Sequence, residues 1–376
     1  MDTADVIVIG GGIVGSAAAW RLAHSGARVT LIDRRDVGHA TAAGAGIIAP
    51  GTTLRMLPVF NDLVTRSAEF YPHLIASLAE DGETDTGYDV VGSLNIAVKD
   101  AELPLLDELQ AMAEARRTEG VQGIGEISRI NASEARGLFP ALMHVRSALH
   151  VSGSARMDGR LMRAALQRAA SAHGATIIEG DARLVLDGER VTHVEVNGER
   201  HAAGAVIIAG GAWSHSLGTA LGGELPTYPQ RGQILHLDMP HVDTSRWPIV
   251  LGFRSHYILT FPRHRVVAGA TREHEAGYDP RMTAGGVHES LSEALRVAPG
   301  LADATLHEVR IGLRPTSPDD LPLLGRFPGI DNVFVATGHG PSGLQLGPCS
   351  GAAVADLALG QPVALDLTSF DPARFA

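Results

Sequence analysis

Gly10, Gly12 and Gly15 stand in the spacing G-x-G-x-x-G within "DVIVIGGGIVGSAAAWRLAHSGARVTLIDRR", residues 5–35. The first permits a tight turn, the second lets backbone approach a pyrophosphate, and the third lets a helix pack closely on the preceding strand. Asp33 closes the segment at about the spacing where an acid accepts a ribose hydroxyl. Far along the chain, Arg314 in "GLRP" offers a guanidinium. Its planar fork makes two parallel hydrogen bonds to a carboxylate and so fixes orientation as well as position. The competing reading of Arg314 is a structural ion pair to Asp319 or Asp320, only a few residues on.

The elements needed to position these groups are legible around them. Residues 6–9 are a β-branched run that suits a buried parallel strand. Residues 13–23 carry small and apolar side chains at helical spacing, and His24-Ser25-Gly26 reads as the stop. Residues 28–32 form a second strand ending on Asp33. The helix would then aim its unpaired N–H groups and positive dipole end at phosphates. FAD and NAD both use this unit, so the unit alone does not separate them.

Composition narrows the field. At 376 residues, two domains are expected. A net charge of −11 argues against sequence-independent nucleic-acid binding, which needs a basic face. Lys99 is the only lysine, and its context "NIAVKD" has neither a Schiff-base nor a phosphate-loop signature. Cys349 is the only cysteine, which excludes an internal disulfide and a cysteine metal cluster. No H-E-x-x-H and no clustered His/Cys set is found, so no metal is expected. Neither a signal peptide nor an apolar run of spanning length is present, which reads as cytoplasmic.

Further along, "HATAAGAGIIAPG" (39–51) would suit backbone packed against a flat ring. Residues 54–78 are largely helical in pattern, interrupted by Pro58 and Pro72. A strand is expected at 90–98, a surface helix at 101–119, and an amphipathic helix at 158–172 ended by Gly174. Asp187-Gly188 and Asn197-Gly198 mark hairpins. "AVIIAGG" repeats the strand-then-glycine design, and "VFVATGHGPSGLQLGP" does so again near the end. Short strand-like runs over 228–269 read as a mixed or antiparallel sheet. "REHEAGYD" (272–279) reads as a polar loop.

With these motifs in order, the chain resembles the FAD-dependent D-amino acid oxidase superfamily, and glycine oxidase and bacterial D-amino acid dehydrogenase-type flavoproteins most of all. The resemblance rests on the first glycine motif and on "AAGAGIIAP", "AVIIAGGAWS", "QRGQILHL", "IGLRPTSPDDLPLLGR" and "VFVATGHGPSGLQLGP". It implies an α/β fold. A Rossmann-like FAD-binding domain would be assembled from 1–85, 145–225 and 310–376. A substrate domain with a mixed or antiparallel sheet would come from 86–144 and 226–309.

The resemblance also implies roles. FAD would be bound non-covalently by Gly10, Gly12, Ile13, Val14, Gly15, Asp33 and Arg34. The small-residue loop Ala43, Gly44, Ala45, Gly46 and Ile47 would join them, with Arg183, Ala209, Gly210, Gly211 and Trp213. From the last loop would come Gly338, His339, Gly340, Ser342, Gly343, Leu344 and Gln345. Arg314 matches the arginine that holds the substrate carboxylate, and Tyr257 an active-site tyrosine; without the resemblance Tyr257 reads as an ordinary strand residue. His256 would face the opposite side of its sheet. His339 is assigned to loop packing or charge stabilisation rather than to a general base. Where glycine oxidase has an arginine in the last loop, this chain has Pro341. A second cationic contact is then missing from that loop, which disfavours glycine and leaves room for a larger substrate. Cys349 does not match the covalent flavin attachment of monomeric sarcosine oxidase and reads as a packed small residue.

The implied activity is oxidation of the C–N bond of a small amine or amino acid by hydride transfer to the flavin. The imine product hydrolyses to a keto acid and ammonia. Oxygen or another electron acceptor would reoxidise the flavin, and a homo-oligomer fits this class. Two alternatives stand beside it. One is an FAD-dependent 2-hydroxy acid oxidase or dehydrogenase, which needs a base such as His339 or His256. The other is a flavoprotein subunit without chemistry of its own.

Overall fold

The structure is a computed structural model that describes residues 4–53, 57–252 and 254–376. Residues 54–56, at the start of the helical stretch expected from 54, lie outside the described residues, as do residues 1–3.

The strand Ala4–Ile9 is apolar and buried apart from the exposed Asp5 near its start, as suits a central parallel strand. It pairs in parallel with Val29–Asp33 on one side and with Glu199–Ile208 on the other. Thr176–Glu179 extends the parallel sheet beyond Val29–Asp33, and Val333–Thr337 extends it beyond Glu199–Ile208. Leu323–Arg326 adds an antiparallel edge, and Arg183–Asp187 with Arg190–Val196 forms a hairpin against the start of Glu199–Ile208. The helices Ile13–His24, Pro58–Glu80, Gly159–Ala172 and Gly343–Ala358 pack together over this sheet. Asp158 caps the third of them, its carboxylate accepting from the N–H groups of Arg160 and Leu161.

A second sheet of eight strands runs in the order Thr305–Thr316, Tyr228–Asp238, Arg265–Gly269, Tyr257–Phe261, Ile249–Gly252, Ser93–Ala97, Ser147–Val151, Ile127–Asn131. Every neighbour is antiparallel except Ile249–Gly252 with Ser93–Ala97, so the sheet is mixed. Its helices Leu103–Thr118 and Ala284–Val297 cover it. Ser147–Val151 sits in this sheet although it follows residue 145, and Thr305–Thr316 runs across residue 310.

Several local expectations change for clear reasons. Pro58 opens the Pro58–Glu80 helix, where a missing N–H costs nothing, and Pro72 is accommodated inside it. The strand expected at 90–98 is split at Gly92, whose φ of +76° suits glycine. The hairpins hold: Asn197 and Gly198 both adopt positive φ. Two charged contacts tie the halves together. Arg265 of the second sheet pairs with Asp158 at 2.7 Å. The buried Arg156 donates to the carbonyls of Thr260 and Ser245.

Among the described residues no helix is long and apolar enough to cross a membrane.

Candidate active site

Two cavities meet between the sheets. The first, about 410 Å³, runs along the ends of the parallel strands, and the second, about 400 Å³, lies against the mixed sheet. Arg314, Gly44, Ala40, Pro341 and Leu344 line both.

The first cavity is built by the opening motif. Gly10 takes φ +105°, and a Cβ there would stand 2.3 Å from the Ala209 carbonyl oxygen. A Cβ on Gly15 would lie 1.8 Å from the Gly10 oxygen, so the helix seats on the turn only with glycine at that position. Gly12, by contrast, faces open space apart from the Thr41 hydroxyl at 3.2 Å, as a position approached by a ligand must. Asp33 lines the cavity and is held by Arg163 at 2.8 Å, whose Nε donates to the Gly11 carbonyl. Gly11 itself has no room for a side chain, because a Cβ would fall 2.7 Å from Asp33 Oδ2. The Thr41 hydroxyl accepts from the Ile13 N–H at 2.9 Å and so braces the helix start.

Arg314 lies on Thr305–Thr316 opposite Gln230, and Gly232 faces Gly312 two residues along. Its Nη1 donates to Gln230 Oε1 at 3.0 Å and to the Thr271 carbonyl at 2.9 Å. Both acceptors are neutral. Asp319 is held by Arg374 at 2.8 Å, and among the described residues no carboxylate pairs with Arg314. The nearby Glu273 is fully engaged elsewhere: its Oε2 takes Arg231 at 2.6 Å, and its Oε1 takes Gln233 and Thr271, each at 2.7 Å. The Arg314 guanidinium is therefore positioned by the fold without a carboxylate in contact, and the Glu273 charge reaches it only at a distance. Burial lowers its pKa, opposed by Tyr257 and helped by the positive charge of Arg272. Burial raises the Tyr257 hydroxyl pKa, and the phenol stays protonated beside the guanidinium.

The second cavity has no carboxylate in its described wall; Tyr257, Arg272 and Arg314 are its titratable groups. Arg272 is exposed at its edge and makes no hydrogen bond or ion pair to the described residues.

The last loop and the first turn of the Gly343–Ala358 helix supply His339, Gly340 and Gly343 to the first cavity and Ser342 and Gln345 to the second. His339 is buried, and desolvation pushes its pKa down to about 4, so the ring is neutral at pH 7. His339 Nε2, Gln345 Nε2 and Thr52 Oγ1 are buried without partners, and all three residues line a cavity. Unmet polar atoms at a cavity wall are what a bound polar group would satisfy. The open Gly12 and these orphaned atoms fit an elongated dinucleotide carrying a polar ring.

Of the residues expected to hold the cofactor, Gly10, Gly12, Ile13, Val14, Asp33, Arg34, Gly44, Arg183, Ala209, Gly210, Gly211, Trp213, His339, Gly340, Gly343 and Leu344 line the first cavity. Ala43, Ala45, Gly46, Ile47, Ser342 and Gln345 line the second, with Tyr257. Gly15 and Gly338 line neither; a Cβ on Gly338 would press 2.7 Å from Leu323 Cδ1. The Arg34 and Arg183 guanidiniums are engaged by Asp36 and Glu195. His256 sits 3.3 Å from Glu289 and outside both cavities. Cys349 is packed near Ser67, and burial lifts its thiol pKa to about 11.

Sequence reading missed Gly11, Thr41, Arg163 and Arg272. Gly11 is visible as the middle of three consecutive glycines. The other three act across the fold, and Arg272 was hidden in a segment that reads as a polar loop. His24, Asp81 and His173 also converge, with ligand atoms within 4.8 Å of one another, although they are remote in sequence. Their carboxylate is already held by His173 at 2.7 Å and by the Trp20 indole at 3.0 Å.

With this geometry in place, comparison with known proteins is direct. Residues 5–357 match the family described as FAD dependent oxidoreductase. The chain is 44% identical over 368 residues to the uncharacterized oxidoreductase YurR of Bacillus subtilis, covering 98% of each. It is 31% identical over 376 residues to glycine oxidase of Pseudomonas aeruginosa, again covering 98% of each. Among solved structures, iminodiacetate oxidase from Chelativorans sp. BNC1 superposes with a TM-score of 0.93 at 41% identity, covering 98% of both chains.

Proposed function

The chain belongs to the FAD-dependent oxidoreductase family, and on that premise we propose that it oxidises the C–N bond of a small amine bearing a carboxylate. The observation that carries this reading is Arg314: a guanidinium fixed by neutral acceptors, without a carboxylate partner, where the two cavities meet. The similarity to glycine oxidases and to iminodiacetate oxidase supports it, because both names denote oxidation of small carboxylated amines.

The residues that would hold FAD are those of the first cavity. Gly12 and the start of the Ile13–His24 helix would serve the pyrophosphate, and Asp33 a ribose. When bound, FAD would supply the acceptor for a hydride, two electrons with one proton, from the carbon beside the amine. The protein's part is positioning. Arg314 takes the carboxylate with the donors not used by Gln230 and Thr271, and the Tyr257 hydroxyl donates a further hydrogen bond. The carbon next to the carboxylate is then held in one orientation. The nitrogen lone pair of a neutral amine forms the C=N bond as the hydride leaves, so no protein base is needed. Water then hydrolyses the imine.

The same logic disfavours a 2-hydroxy acid, whose hydroxyl must give up a proton. His339 lines the cavity but is a weak base with its pKa pushed down to about 4, and His256 lies outside it. The test is anaerobic titration of the yellow holoenzyme with glycine, sarcosine, iminodiacetate, D-alanine and D-lactate. Bleaching by amines and not by lactate is expected. Bleaching by lactate alone, or by none, overturns the reading.

A further inference from the structure

Arg314 is one of two arginines on the second cavity, and the other is not explained by a substrate with a single carboxylate. Arg272 follows Thr271, whose carbonyl takes the Arg314 Nη1 proton, so the two cations flank one hydrogen bond. Arg272 lines the same cavity as Arg314 and Tyr257. Its charge acts on both of them: it disfavours the protonated form of Arg314 and favours the ionised form of Tyr257.

Among the described residues no carboxylate contacts either guanidinium, and Glu273 acts on Arg314 only at a distance. The one carboxylate beside them in sequence, Glu273, turns away to Arg231, Gln233 and Thr271. Arg231 also has Asp279 at 3.2 Å, so that neighbouring cation is neutralised twice over. The described wall of the cavity contributes only glycine, apolar, hydroxyl, amide and proline side chains besides the titratable three. The half-buried Arg265, Arg296 and Arg310 each have a carboxylate within 3 Å, whereas the exposed Arg272 has none among the described residues. Two guanidiniums sharing a pocket without an anion repel each other, and anionic ligand groups relieve that repulsion.

We propose that Arg272 is a second carboxylate site, and that the substrate class is a secondary amine with two carboxylate arms, one on Arg314 and one on Arg272. This rests on the oxidation reading above and names the substrate class of that site. It also accounts for Pro341 in the last loop: the second cation comes instead from the loop that follows the strand Arg265–Gly269.

The reaction balances with the groups named. For iminodiacetate, the C–H bond of the arm held by Arg314 breaks and its electron pair leaves as hydride to FAD. The nitrogen lone pair forms the C=N bond and the nitrogen proton goes to solvent. Water adds to that carbon, and the C–N bond breaks to give glyoxylate and glycine. Oxygen or another electron acceptor reoxidises the flavin. The arm on Arg272 leaves as glycine, unoxidised.

The experiment compares iminodiacetate with sarcosine, which has a methyl group in place of the second arm, on wild-type holoenzyme and on Arg272→Met and Arg272→Lys. In wild type, iminodiacetate should have the higher kcat/KM. In Arg272→Met the ratio of the two kcat/KM values should fall by about 10- to 100-fold, the usual range for losing a charge-assisted hydrogen bond. Arg272→Lys should recover part of it. An unchanged ratio overturns the proposal, including the case where both substrates weaken equally because both arginines clamp one carboxylate. Arg272 is exposed and unbonded, so its replacement leaves the core untouched. If no amine bleaches the flavin, the oxidation reading fails separately. The two-cation site is then judged with thiodiacetate against methylthioacetate by perturbation of the flavin spectrum. Tighter thiodiacetate binding that disappears in Arg272→Met upholds it, and equal binding of the two overturns it.

Discussion

The Arg314 guanidinium lies directly against the Cα of Gly232, so close that a Cβ on Gly232 would stand 2.5 Å from Nη2 and 2.6 Å from Cζ. The two residues belong to neighbouring antiparallel strands, and the glycine is what lets the arginine lie across its partner strand into the cavity.

Gly232→Ala should therefore displace the guanidinium without touching the nucleotide residues. We expect kcat/KM for a carboxylated amine to fall by about 100-fold, the cost of roughly an ångström of misplacement. The ratio of FAD to protein should stay at the wild-type value. Steady-state kinetics beside an absorbance ratio check both, and unaltered kinetics would show that Arg314 is not the orienting group.

Arg314→Lys keeps the charge but loses the fork and the paired bonds to Gln230 and Thr271. Affinity for a carboxylate should drop by about 10- to 100-fold, since a point charge does not reproduce bidentate geometry. Titration of the holoenzyme with an unreactive carboxylate, followed by flavin absorbance, measures it. A lysine variant that binds as wild type does would contradict the clamp.

Gly11→Ala should separate cofactor binding from substrate binding. Its Cβ would press on the Asp33 carboxylate and break the Arg163 contact. We expect purified protein with little yellow colour and an FAD affinity reduced by at least about tenfold, the loss of one charged hydrogen bond. Isothermal titration of the apoprotein with FAD provides the number.

Acid stability follows from two buried histidines. Burial pushes His339 down to about 4 and His236 to about 3, with the Arg310 charge adding to the second, against an ordinary value of 6.5. The unfolded chain binds these protons first, so the stability they contribute is fully present above pH 6.5 and is lost as pH falls toward 4. The slope is about 1.4 kcal/mol per pH unit for each histidine. His236, remote from both cavities, gives the cleaner test: His236→Asn should flatten the fall in thermal midpoint of the apoprotein between pH 6.5 and 4. An undiminished slope would place the acid sensitivity elsewhere.

The nucleotide half was readable because its residues act on near neighbours. Gly10, Gly12, Gly15 and Asp33 fall within one strand, turn, helix and strand, and each requirement is local. Gly15 serves the close helix packing that its place in the motif led one to expect: it lines no cavity, and a Cβ there would lie 1.8 Å from the Gly10 oxygen. His339 was legible as part of a glycine loop, but its neutrality depends on burial by side chains from the rest of the fold.

By itself the sequence determined the family, the cofactor unit, the mixed sheet and the two residues, Arg314 and Tyr257, that face the second cavity. Tertiary structure alone decided which charges are spent on one another. Glu273 neutralises Arg231 and leaves its own neighbour Arg272 free, while Asp319 goes to Arg374 and leaves Arg314 free. The physical reason is that ion pairing depends on distances between strands far apart in the chain. The bridge between Arg231 and Glu273 and the approach of the Pro372–Phe375 turn to Asp319 set those distances, and no spacing along the sequence encodes them.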